Sequence, residues 1–478
     1  MNENNCCPPP LSSDRHYDLA VIGAGSAGFA AAITAAEQGA QVALIGHGTI
    51  GGTCANTGCV PSKTLIRAVE TLHQANAASR FCGIEATAKL LDWRAIIAQK
   101  DELVSGLRQA KYADLLSAYD GISYLEGEAH LAEGGVRIGG ERVCAPRVII
   151  ATGARPAIPA IPGIENLDVL TSTTALELQH LPRSLLVVGG GFVGTELAQL
   201  FARAGVKVSL VCRSRLLPAA EPEIGDALTR YFRDEGIAVH CAVAYRACRR
   251  TDDGIALAVA QGDEERVFEA ESILVAAGRR PNTQRLGLRQ AGVAQRDDGA
   301  IAVDERMRTT RPGTYAAGDI TGRDPFVYMA AYGARIAAHN ALNGDNRRYD
   351  NSAMPWVVFS DPQGAGVGLT EAQARAAGYD VGTSLLQLDQ VPRALAARDT
   401  RGLIKLVADA RTRRLIGAHI LAPEGADSIQ TAALAIRAGF TVENLAETIF
   451  PYLTTVEGLR LAAQAFRKDV TKLSCCAG

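Results

Sequence analysis

Short apolar segments, glycine-rich turns and amphipathic stretches alternate along most of the chain. Residues 17–22 and 41–45 are apolar enough to be buried strands, and the alanine-rich stretch 29–38 between them has the composition of a helix. The same order recurs with apolar segments at 184–188 and 207–211. Strand, glycine turn, helix and strand is the order of half a Rossmann domain. The pattern therefore predicts an α/β protein with two Rossmann-like dinucleotide-binding domains.

The remaining segments predict what surrounds these two domains. Residues 64–120 have apolar positions at intervals of three and four, which indicates helices, and residues 121–148 alternate like paired strands. Further buried strands end at Gly153 and at Asp319. From about residue 354 the pattern changes to that of an α+β domain. Its predicted strands are 356–359, 403–407 and 414–420, and its predicted helices are 428–437 and 456–467.

Both predicted turns carry the spacing GxGxxG, as GAGSAG at 23–28 and GGGFVG at 189–194. In each turn the first glycine makes the tight bend, the second lets a pyrophosphate approach the backbone, and the third lets helix and strand pack closely. The helix that follows then presents its N-terminus to the phosphates. Two such sites imply two nucleotides, as electron transfer between cofactors requires. The glycines concerned are Gly23, Gly25, Gly28, Gly189, Gly191 and Gly194.

The residues after each second strand bear on which nucleotides bind. The acidic residue expected about 20 residues beyond the first turn is missing, because Gly46 and His47 stand there. The ribose must then be held by the backbone, by water or by His47. In the second domain Arg213 and Arg215 follow the strand where an acid would indicate NAD. Two guanidinium groups suit a 2′-phosphate and favour NADPH, while a solvated surface turn is the alternative.

A pair of cysteines, Cys54 and Cys59, follows a glycine-rich turn and precedes a predicted helix. A helix N-terminus favours thiolate over thiol, so at least one of these sulfurs should be acidified and nucleophilic. Gly58 supplies a bend that lets the pair close as a small-ring disulfide. A redox-active pair is the preferred interpretation, and buried structural cysteines or half of a zinc site are the alternatives.

Composition narrows the functional classes. The chain has 478 residues and a net charge of −2, so no basic excess points to nucleic acid or to an anionic membrane surface. It contains no apolar run of about 18 residues and no secretion signal near its start. Eleven cysteines then suit a reducing cytoplasm. Cys6 and Cys7 in a predicted disordered tail are exposed thiols or soft-metal ligands. Five others are predicted to be buried packing residues: Cys82, Cys144, Cys212, Cys241 and Cys248.

Together these motifs resemble the FAD-dependent pyridine nucleotide–disulfide oxidoreductases, relatives of glutathione reductase and dihydrolipoamide dehydrogenase. The most specific element is GGTCxNxGCxPSK at 51–63, and the resemblance covers the chain from Asp18 onward. It implies a homodimer with shared active sites, in which an NAD(P)H domain interrupts an FAD domain and a dimerisation domain follows. The implied boundaries are a tail at 1–15, the FAD domain at 16–155 and 281–350, the NAD(P)H domain at 156–280 and the dimerisation domain at 351–478.

The resemblance also implies roles for individual residues. Cys59 is the sulfur against the flavin, Cys54 exchanges with substrate, and Lys63 pairs with Glu196 near the flavin. Phe192 stands where an aromatic gate covers the flavin. The remaining implied FAD contacts are Asp319, on the ribityl chain, and Gly48, Thr53, Ala129 and Val327.

Two departures indicate a branch of that family. Tyr452 stands where the disulfide reductases carry a histidine ahead of Glu457, and a phenol with an unperturbed pKa of about 10 is a poor proton shuttle for a thiol near neutrality. The adjacent Cys475 and Cys476 suit a soft, two-coordinate ion. The resemblance is therefore to the branch that reduces Hg(II) with NADPH.

In that branch the metal arrives as a thiol complex, and Cys475 and Cys476 of the partner subunit pass it to Cys54 and Cys59. Tyr452 and Glu457 would shape the pocket at the dimer interface. Three alternatives remain: a disulfide reductase of the glutathione reductase or dihydrolipoamide dehydrogenase type, a reductase with a C-terminal redox relay of the thioredoxin reductase type, and a soft-metal-binding or redox-sensing protein without turnover.

Overall fold

The computed structural model describes residues 15–469 and residue 472. Cys6, Cys7, Cys475 and Cys476 lie outside the described residues, as does most of the predicted tail. Arg15, the last residue of that predicted tail, already belongs to a strand and pairs with Val143. None of the helices in the described part of the chain combines the length and the apolar character needed to cross a membrane.

The described helices occur throughout the chain. They are α1 Ser26–Ala36, α2 Gly52–Asn56, α3 Cys59–Asn76, α4 Trp93–Arg108, α5 Asp114–Leu116, α6 Ser172–Ala175, α7 Phe192–Arg203, α8 Pro222–Asp234, α9 Val327–Asn343, α10 Glu371–Ala376, α11 Pro392–Ala397, α12 Gly425–Arg437, α13 Val442–Glu447 and α14 Gly458–Gln464. Short 3₁₀ turns occur at Ala78–Arg80, Ile164–Asn166, Asp319–Thr321 and Leu388–Gln390, and a π-helical turn occurs at Gln109–Ala113.

The described strands form several sheets. They are β1 Arg15–His16, β2 Leu19–Ile22, β3 Val42–Gly46, β4 Ile122–Glu126, β5 Ala129–Ala132, β6 Gly135–Ile138, β7 Glu141–Cys144, β8 Val148–Ile150, β9 Ala154–Pro156, β10 Leu170–Thr171, β11 Ser184–Val188, β12 Lys207–Val211, β13 Ala238–His240, β14 Ala244–Thr251, β15 Gly254–Gln261, β16 Glu264–Ala270, β17 Ser272–Val275, β18 Arg279–Pro281, β19 Thr314–Ala316, β20 Pro355–Val358, β21 Gln363–Gly368, β22 Val381–Gln387, β23 Leu403–Asp409 and β24 Leu415–Ala422.

The chain divides into two compact units. The first unit contains the residues up to Thr64 together with Ala95–Ala157 and Gly278–Asp350, and the second contains Leu65–Arg94, Ile158–Ala277 and the residues from Asn351 onward. The domain boundaries predicted from the sequence stay a prediction.

A parallel sheet in the order β19-β8-β2-β3-β4 forms the centre of the first unit. All four residues of β2 are buried, as expected for a strand with both faces covered. Helices α1 and α9 pack on one face, and the small sheet β1-β7-β6-β5 packs on the other. The turn before α1 follows the carboxyl end of β2, and the turn before α2 follows the carboxyl end of β3. This edge of the sheet therefore carries the first glycine turn and the cysteines.

The second unit contains another parallel sheet, in the order β10-β17-β11-β12-β13. Its strands β11 and β12 have the predicted bounds, and the antiparallel sheet β14-β15-β16 packs against it. The C-terminal part is an antiparallel sheet, β20-β21-β24-β23-β22, which buries an apolar core together with α12, α13 and α14. The α/β class with two parallel sheets and an α+β C-terminal part is confirmed.

Candidate active site

The two cysteines lie on consecutive helices of the first unit. Cys54 belongs to the short helix α2, which the sequence did not predict, and Cys59 is the first residue of α3. Cys54 is half-buried and Cys59 is exposed, and both are thiols in this structure. A Cβ atom on Gly58 would lie 2.9 Å from the Thr53 carbonyl oxygen, so glycine permits the close bend between the helices.

A hydrogen bond joins the two sulfurs. The Cys54 thiol donates to Cys59, and this bond, followed by burial, raises the pKa of Cys54 well above its usual range, while the charge of Lys63 opposes the shift. Cys54 therefore keeps its proton, and Cys59 is the first residue of α3, a position where the helix dipole favours an anion. The pair is electronically asymmetric.

The segment that contains the two cysteines, residues 51–59, packs directly against the first glycine turn. Gly51 N–H donates to the Ala24 carbonyl over 2.9 Å, and a Cβ atom on Gly52 would lie 2.7 Å from the Cα of Gly25. The Asn56 amide closes the segment by donating to the Gly52 carbonyl over 2.9 Å. Whatever binds at the first glycine turn therefore lies next to the cysteines.

The two glycine turns have the same geometry. Gly23 and Gly189 have φ angles of +117° and +123°, and a Cβ atom on either would overlap a carbonyl oxygen of the neighbouring strand end. The second glycine of each turn has open space or a contact of no less than 3.5 Å. Helices α1 and α7 begin without a side-chain cap, so their first N–H groups are available to phosphate oxygens. Both turns fit a dinucleotide pyrophosphate. A Cβ atom on the third glycine, Gly28 or Gly194, would overlap the carbonyl oxygen of the first.

Tyr124 explains the missing acid after the first turn. A Cβ atom on Gly46 would overlap the Tyr124 hydroxyl and would lie 2.9 Å from the Ala24 Cβ. Burial, and then the charge of Glu126, raises the pKa of Tyr124, so the hydroxyl keeps its proton and can donate. Sequence reasoning missed this residue, because only the β3–β4 register brings it to Gly46. His47, the residue suggested from the sequence to hold the ribose, has its Nε2 atom 3.6 Å from Glu128 Oε1.

Asp319 lies just beyond β19 and faces a cation. Its carboxylate is 3.5 Å from Arg279 Nε, and burial raises its pKa while Arg279 partly offsets this shift. Arg279 also donates to the Ala154 carbonyl, which fixes the guanidinium in place. Of the other predicted FAD contacts, Gly48 is an open positive-φ turn, Thr53 is exposed in α2, Ala129 is buried in β5 and Val327 begins α9.

Tyr328, at the start of α9, is a second residue that sequence reasoning missed. Burial, the charge of Asp324 and the charge of Cys59 together raise the pKa of its hydroxyl, so the ring is within electrostatic reach of the cysteine pair. Its ring stacks on Phe326, with 5.4 Å between the centroids. No motif in the sequence marks this aromatic pair, so the sequence offered no signal for it.

The two arginines after β12 have different surroundings. Arg215 donates from Nη2 to the Pro218 and Ala220 carbonyls, over 3.1 and 2.7 Å, and so holds its own loop. Arg213 is exposed. The structure therefore separates the predicted pair into a loop-holding arginine and an arginine that can reach a ligand.

Glu196 and Phe192 lie on α7 in the second unit. Glu196 is buried, and its Oε1 accepts the Phe359 N–H over 2.9 Å. The Phe192 ring packs on Trp356 with 5.3 Å between centroids. Lys63 belongs to the first unit, so its predicted pairing with Glu196 stays a prediction.

Residues 17–340 match the family model described as pyridine nucleotide-disulphide oxidoreductase, and residues 354–463 match the dimerisation domain of that family. The chain belongs to the pyridine nucleotide-disulphide oxidoreductase family.

Among curated members of the family, mercuric reductase of Streptomyces lividans is 49% identical over 474 residues, which are 98% of this chain and 100% of that protein. Mercuric reductase of Shigella flexneri is 48% identical and aligns with 96% of this chain and 82% of its own. A solved structure, the Cu(II) complex of the HOCl-induced flavoprotein disulfide reductase RclA from Escherichia coli, has a TM-score of 0.83 at 31% identity and covers 94% of this chain and 99% of that chain.

In this family member, Tyr452 and Glu457 have contrasting environments in the dimerisation domain. Tyr452 is 47% exposed, whereas Glu457 is 3% exposed. The Glu457 Oε2 accepts the Leu453 N–H over 3.2 Å, and Leu453 has a φ of +60°. The carboxylate therefore stabilises an uncommon backbone turn directly after Tyr452.

The prediction for the five scattered cysteines is partly wrong. Cys144, Cys212 and Cys248 are buried, as predicted, but Cys82 is exposed and Cys241 is partly exposed. Cys82 follows the 3₁₀ turn Ala78–Arg80, outside any regular helix, and Cys241 follows β13 at the edge of its sheet. Cys212 also lies beyond the end of its strand but stays buried, because its side chain packs against the turn at Gly190.

Proposed function

We propose that the protein is an NADPH-dependent flavoenzyme that reduces Hg(II) to Hg(0) in the cytoplasm, and that it serves mercury detoxification. The observation that carries this proposal is the 49% identity to a mercuric reductase over that protein's full length. The overall reaction is Hg²⁺ + NADPH → Hg⁰ + NADP⁺ + H⁺, which is a balanced two-electron transfer. The cysteine pair and two dinucleotide turns of the described chain are the groups that this reaction needs.

The cofactors fit the two turns. When bound, FAD would relay the electron pair of NADPH toward the cysteine pair. In the first unit, Gly25 and the α1 N-terminus would hold the pyrophosphate, the Tyr124 hydroxyl could donate to the ribose, and Asp319 could accept a hydrogen bond from a polyol hydroxyl. In the second unit, the α7 N-terminus would hold the NADPH pyrophosphate, and Arg213 would pair with the 2′-phosphate.

The cysteine pair binds the metal by ligand exchange. Hg(SR)₂ and two cysteine thiols give Cys54–S–Hg–S–Cys59 and two molecules of RSH, so each leaving thiolate takes up one cysteine proton. Soft thiolate binds this soft cation better than imidazole or carboxylate does. Cys59 is the more exposed of the two sulfurs and begins α3, so it is the first ligand, and Cys54 then releases its proton. Lys63, whose charge lowers the pKa of Cys54, assists that release.

Tyr452 and Glu457 favour metal reduction over disulfide reduction. Disulfide turnover needs a group that returns a proton to a departing thiolate, and a phenol does this poorly near neutral pH. The Glu457 carboxylate is already engaged by the Leu453 N–H and holds the turn. Hg(0) leaves without needing a proton, because it has little affinity for thiolate. The identities point the same way, at 49% to a mercuric reductase and 31% to a disulfide reductase.

The enzyme works as a homodimer with shared active sites. A match to the dimerisation domain at 354–463 supports the dimer. Apolar side chains on that domain are exposed in the single chain, with Ile449 94% exposed, Leu434 59% and Tyr452 47%. Burial of such residues between subunits is a favourable contribution to association. Cys475 and Cys476 of the partner subunit deliver the metal to Cys54 and Cys59.

The test of this proposal is NADPH oxidation by the purified protein with Hg(II) in excess thiol, while volatile Hg(0) is trapped. We expect one Hg(0) per NADPH consumed, and no oxidation when oxidised glutathione or lipoamide replaces the metal. Turnover of either disulfide without Hg(0) release would show that the protein is a disulfide reductase. Hg(II) binding without any NADPH oxidation would show that it is a binding or sensing protein.

Replacing both tail cysteines tests the delivery step. The Cys475→Ala/Cys476→Ala variant is expected to lose about tenfold or more in kcat/KM for Hg(II) presented as a thiol complex, because the partner no longer strips the external thiols. The rate at which NADPH bleaches the bound flavin should stay unchanged, and Cys82→Ser, which removes an exposed cysteine, serves as the control. Wild-type kinetics of the double variant with thiol-complexed Hg(II) would contradict the delivery step.

A further inference from the structure

Cys212 and Cys241 lie side by side at the carboxyl edge of the parallel sheet of the second unit. Cys212 directly follows β12 and Cys241 directly follows β13, and these neighbouring strands are paired up to Val211 and His240. The Cys212 thiol donates a hydrogen bond to the Cys241 sulfur, with 3.5 Å between the two sulfur atoms. This second cysteine pair has no part in the metal reduction proposed above.

Main-chain contacts hold the two thiols in place. Cys212 N–H donates to the His240 carbonyl over 2.9 Å, and Ala242 N–H donates to the Ser214 carbonyl over 2.8 Å. Ala242 has a φ of +57°, an uncommon conformation for alanine that these contacts maintain. To reach a disulfide bond length of about 2.05 Å, the sulfurs need to approach by roughly 1.5 Å. Rotation of two side chains on fixed strand ends supplies a movement of this size.

The two sulfurs are suited to different steps of thiol–disulfide exchange. The hydrogen bond from Cys212 lowers the pKa of Cys241 to about 7, helped by the Leu216 N–H and the charge of Arg233 and opposed by burial. The same hydrogen bond, followed by burial, raises the pKa of Cys212. Cys241 is partly exposed, and Cys212 is only 3% exposed. Cys241 is thus an accessible nucleophile near neutral pH, and Cys212 is a protected second thiol.

The pair also touches the second glycine turn. A Cβ atom on Gly190 would lie 3.0 Å from both the Cβ and the Sγ of Cys212, so the cysteine side chain packs against the backbone of the turn. The next residue is Arg213, the proposed ligand of the 2′-phosphate. Rotation of the Cys212 sulfur toward Cys241 therefore removes this contact and changes the packing of the turn that, in the proposed function, binds the NADPH pyrophosphate.

We propose that Cys212 and Cys241 are a second thiol–disulfide pair, and that its closure by a low-molecular-weight disulfide weakens NADPH binding. The Cys241 thiolate attacks the disulfide RSSR, which forms a mixed disulfide and releases RS⁻. Cys212 then attacks the Cys241 sulfur, the new protein disulfide forms, and the Cys212 proton leaves with the second RS⁻ as RSH. The two cysteines are oxidised and RSSR is reduced. Formation of the Cys212–Cys241 disulfide does not depend on the proposed function, whereas its effect on NADPH binding rests on that function.

The test is to equilibrate the purified enzyme in buffers of oxidised and reduced glutathione, trap the thiols by alkylation, and map the peptides. In oxidising buffer we expect a peptide pair linked through Cys212 and Cys241. NADPH affinity, measured by calorimetric titration with NADP⁺, which carries the same 2′-phosphate and does not reduce the flavin, should weaken about tenfold, as expected for loss of one charge-assisted hydrogen bond. Dithiothreitol should reverse both changes. Calorimetry needs no turnover, so this result is independent of whether Hg(II) is the substrate.

Single variants separate the two steps. Cys212→Ser should stop at a glutathione adduct on Cys241, whereas Cys241→Ser should form no linked peptide and keep its NADPH affinity in oxidising buffer. Cys248→Ser, which alters another buried cysteine of the same unit, should behave like the wild type. The proposal is overturned if Cys212 and Cys241 both stay alkylatable under conditions that convert Cys82 to an adduct. It is also overturned if the linked peptide forms and NADPH affinity is unchanged.

Discussion

Replacing Cys54 with serine is expected to lower kcat/KM for Hg(II) by about three orders of magnitude or more, the scale seen when an essential catalytic group is removed. A hydroxyl is a hard ligand that stays protonated near neutral pH, so Cys59 would hold the metal alone. The hydrogen bond from Cys54 would be replaced by one from the serine hydroxyl, which keeps the local fold. The measurement is steady-state NADPH oxidation with thiol-complexed Hg(II), accompanied by Hg(0) trapping.

The control for Cys54→Ser is Cys82→Ser, because Cys82 is an exposed cysteine outside the proposed site. NADPH should bleach the flavin of both variants at the wild-type rate, since neither change touches a glycine turn. Hg(II) turnover should persist in Cys82→Ser alone. Retention of Hg(0) release by Cys54→Ser at more than about a tenth of the wild-type rate would show that the pair does not carry the metal.

Replacing Lys405 with methionine is expected to destabilise the protein by about 3–5 kcal/mol, the usual cost of removing one partner from a buried ion pair. Lys405 is buried, and its Nζ lies 3.0 Å from Glu221, 2.7 Å from Glu223 and 2.9 Å from Glu371. Burial opposes its charge, but hydrogen bonds to the three carboxylates raise its pKa overall. Without the ammonium group, Glu221 remains buried near other carboxylates and loses its ion pair with Lys405.

The effect of Lys405→Met should depend on pH in a definite direction. Glu371 has a pKa lowered from 4.5, by hydrogen bonds from Arg375 and then from Lys405. A carboxyl with a depressed pKa in the folded state stabilises the protein above its unfolded pKa and loses that contribution as the pH falls. The difference in urea midpoint between variant and wild type should therefore be largest near neutral pH and shrink below about pH 4.5.

Arg375→Met is the matched control for Lys405, because Arg375 pairs with the same Glu371 but its side chain is 60% exposed. An exposed pair contributes no more than about 1 kcal/mol. Equal shifts of the urea midpoint in Lys405→Met and Arg375→Met would show that the burial of Lys405 and its carboxylate partners does not matter to stability.

Much of the fold follows from local sequence. The bounds of β11 and β12 match the prediction, and α1 and α7 begin directly after the second glycine of each turn. Within such a segment the apolar run, the glycine conformation and the helix start lie close together in the chain, so one pattern specifies them all. The cysteine motif is equally local, since Cys54 and Cys59 lie on two consecutive helices and Gly58 lies between them.

Tertiary structure decided the features that depend on residues far apart in sequence. Tyr124 fills the space beside Gly46 only because β4 pairs with β3, and the cysteine segment contacts Gly25 only because Gly52 packs on it. Cys212 and Cys241 were assigned to core packing because neither residue has a recognisable motif around it. Adjacent strands bring their sulfurs together. Local patterns determine elements and turns, whereas strand register and packing determine which side chains meet.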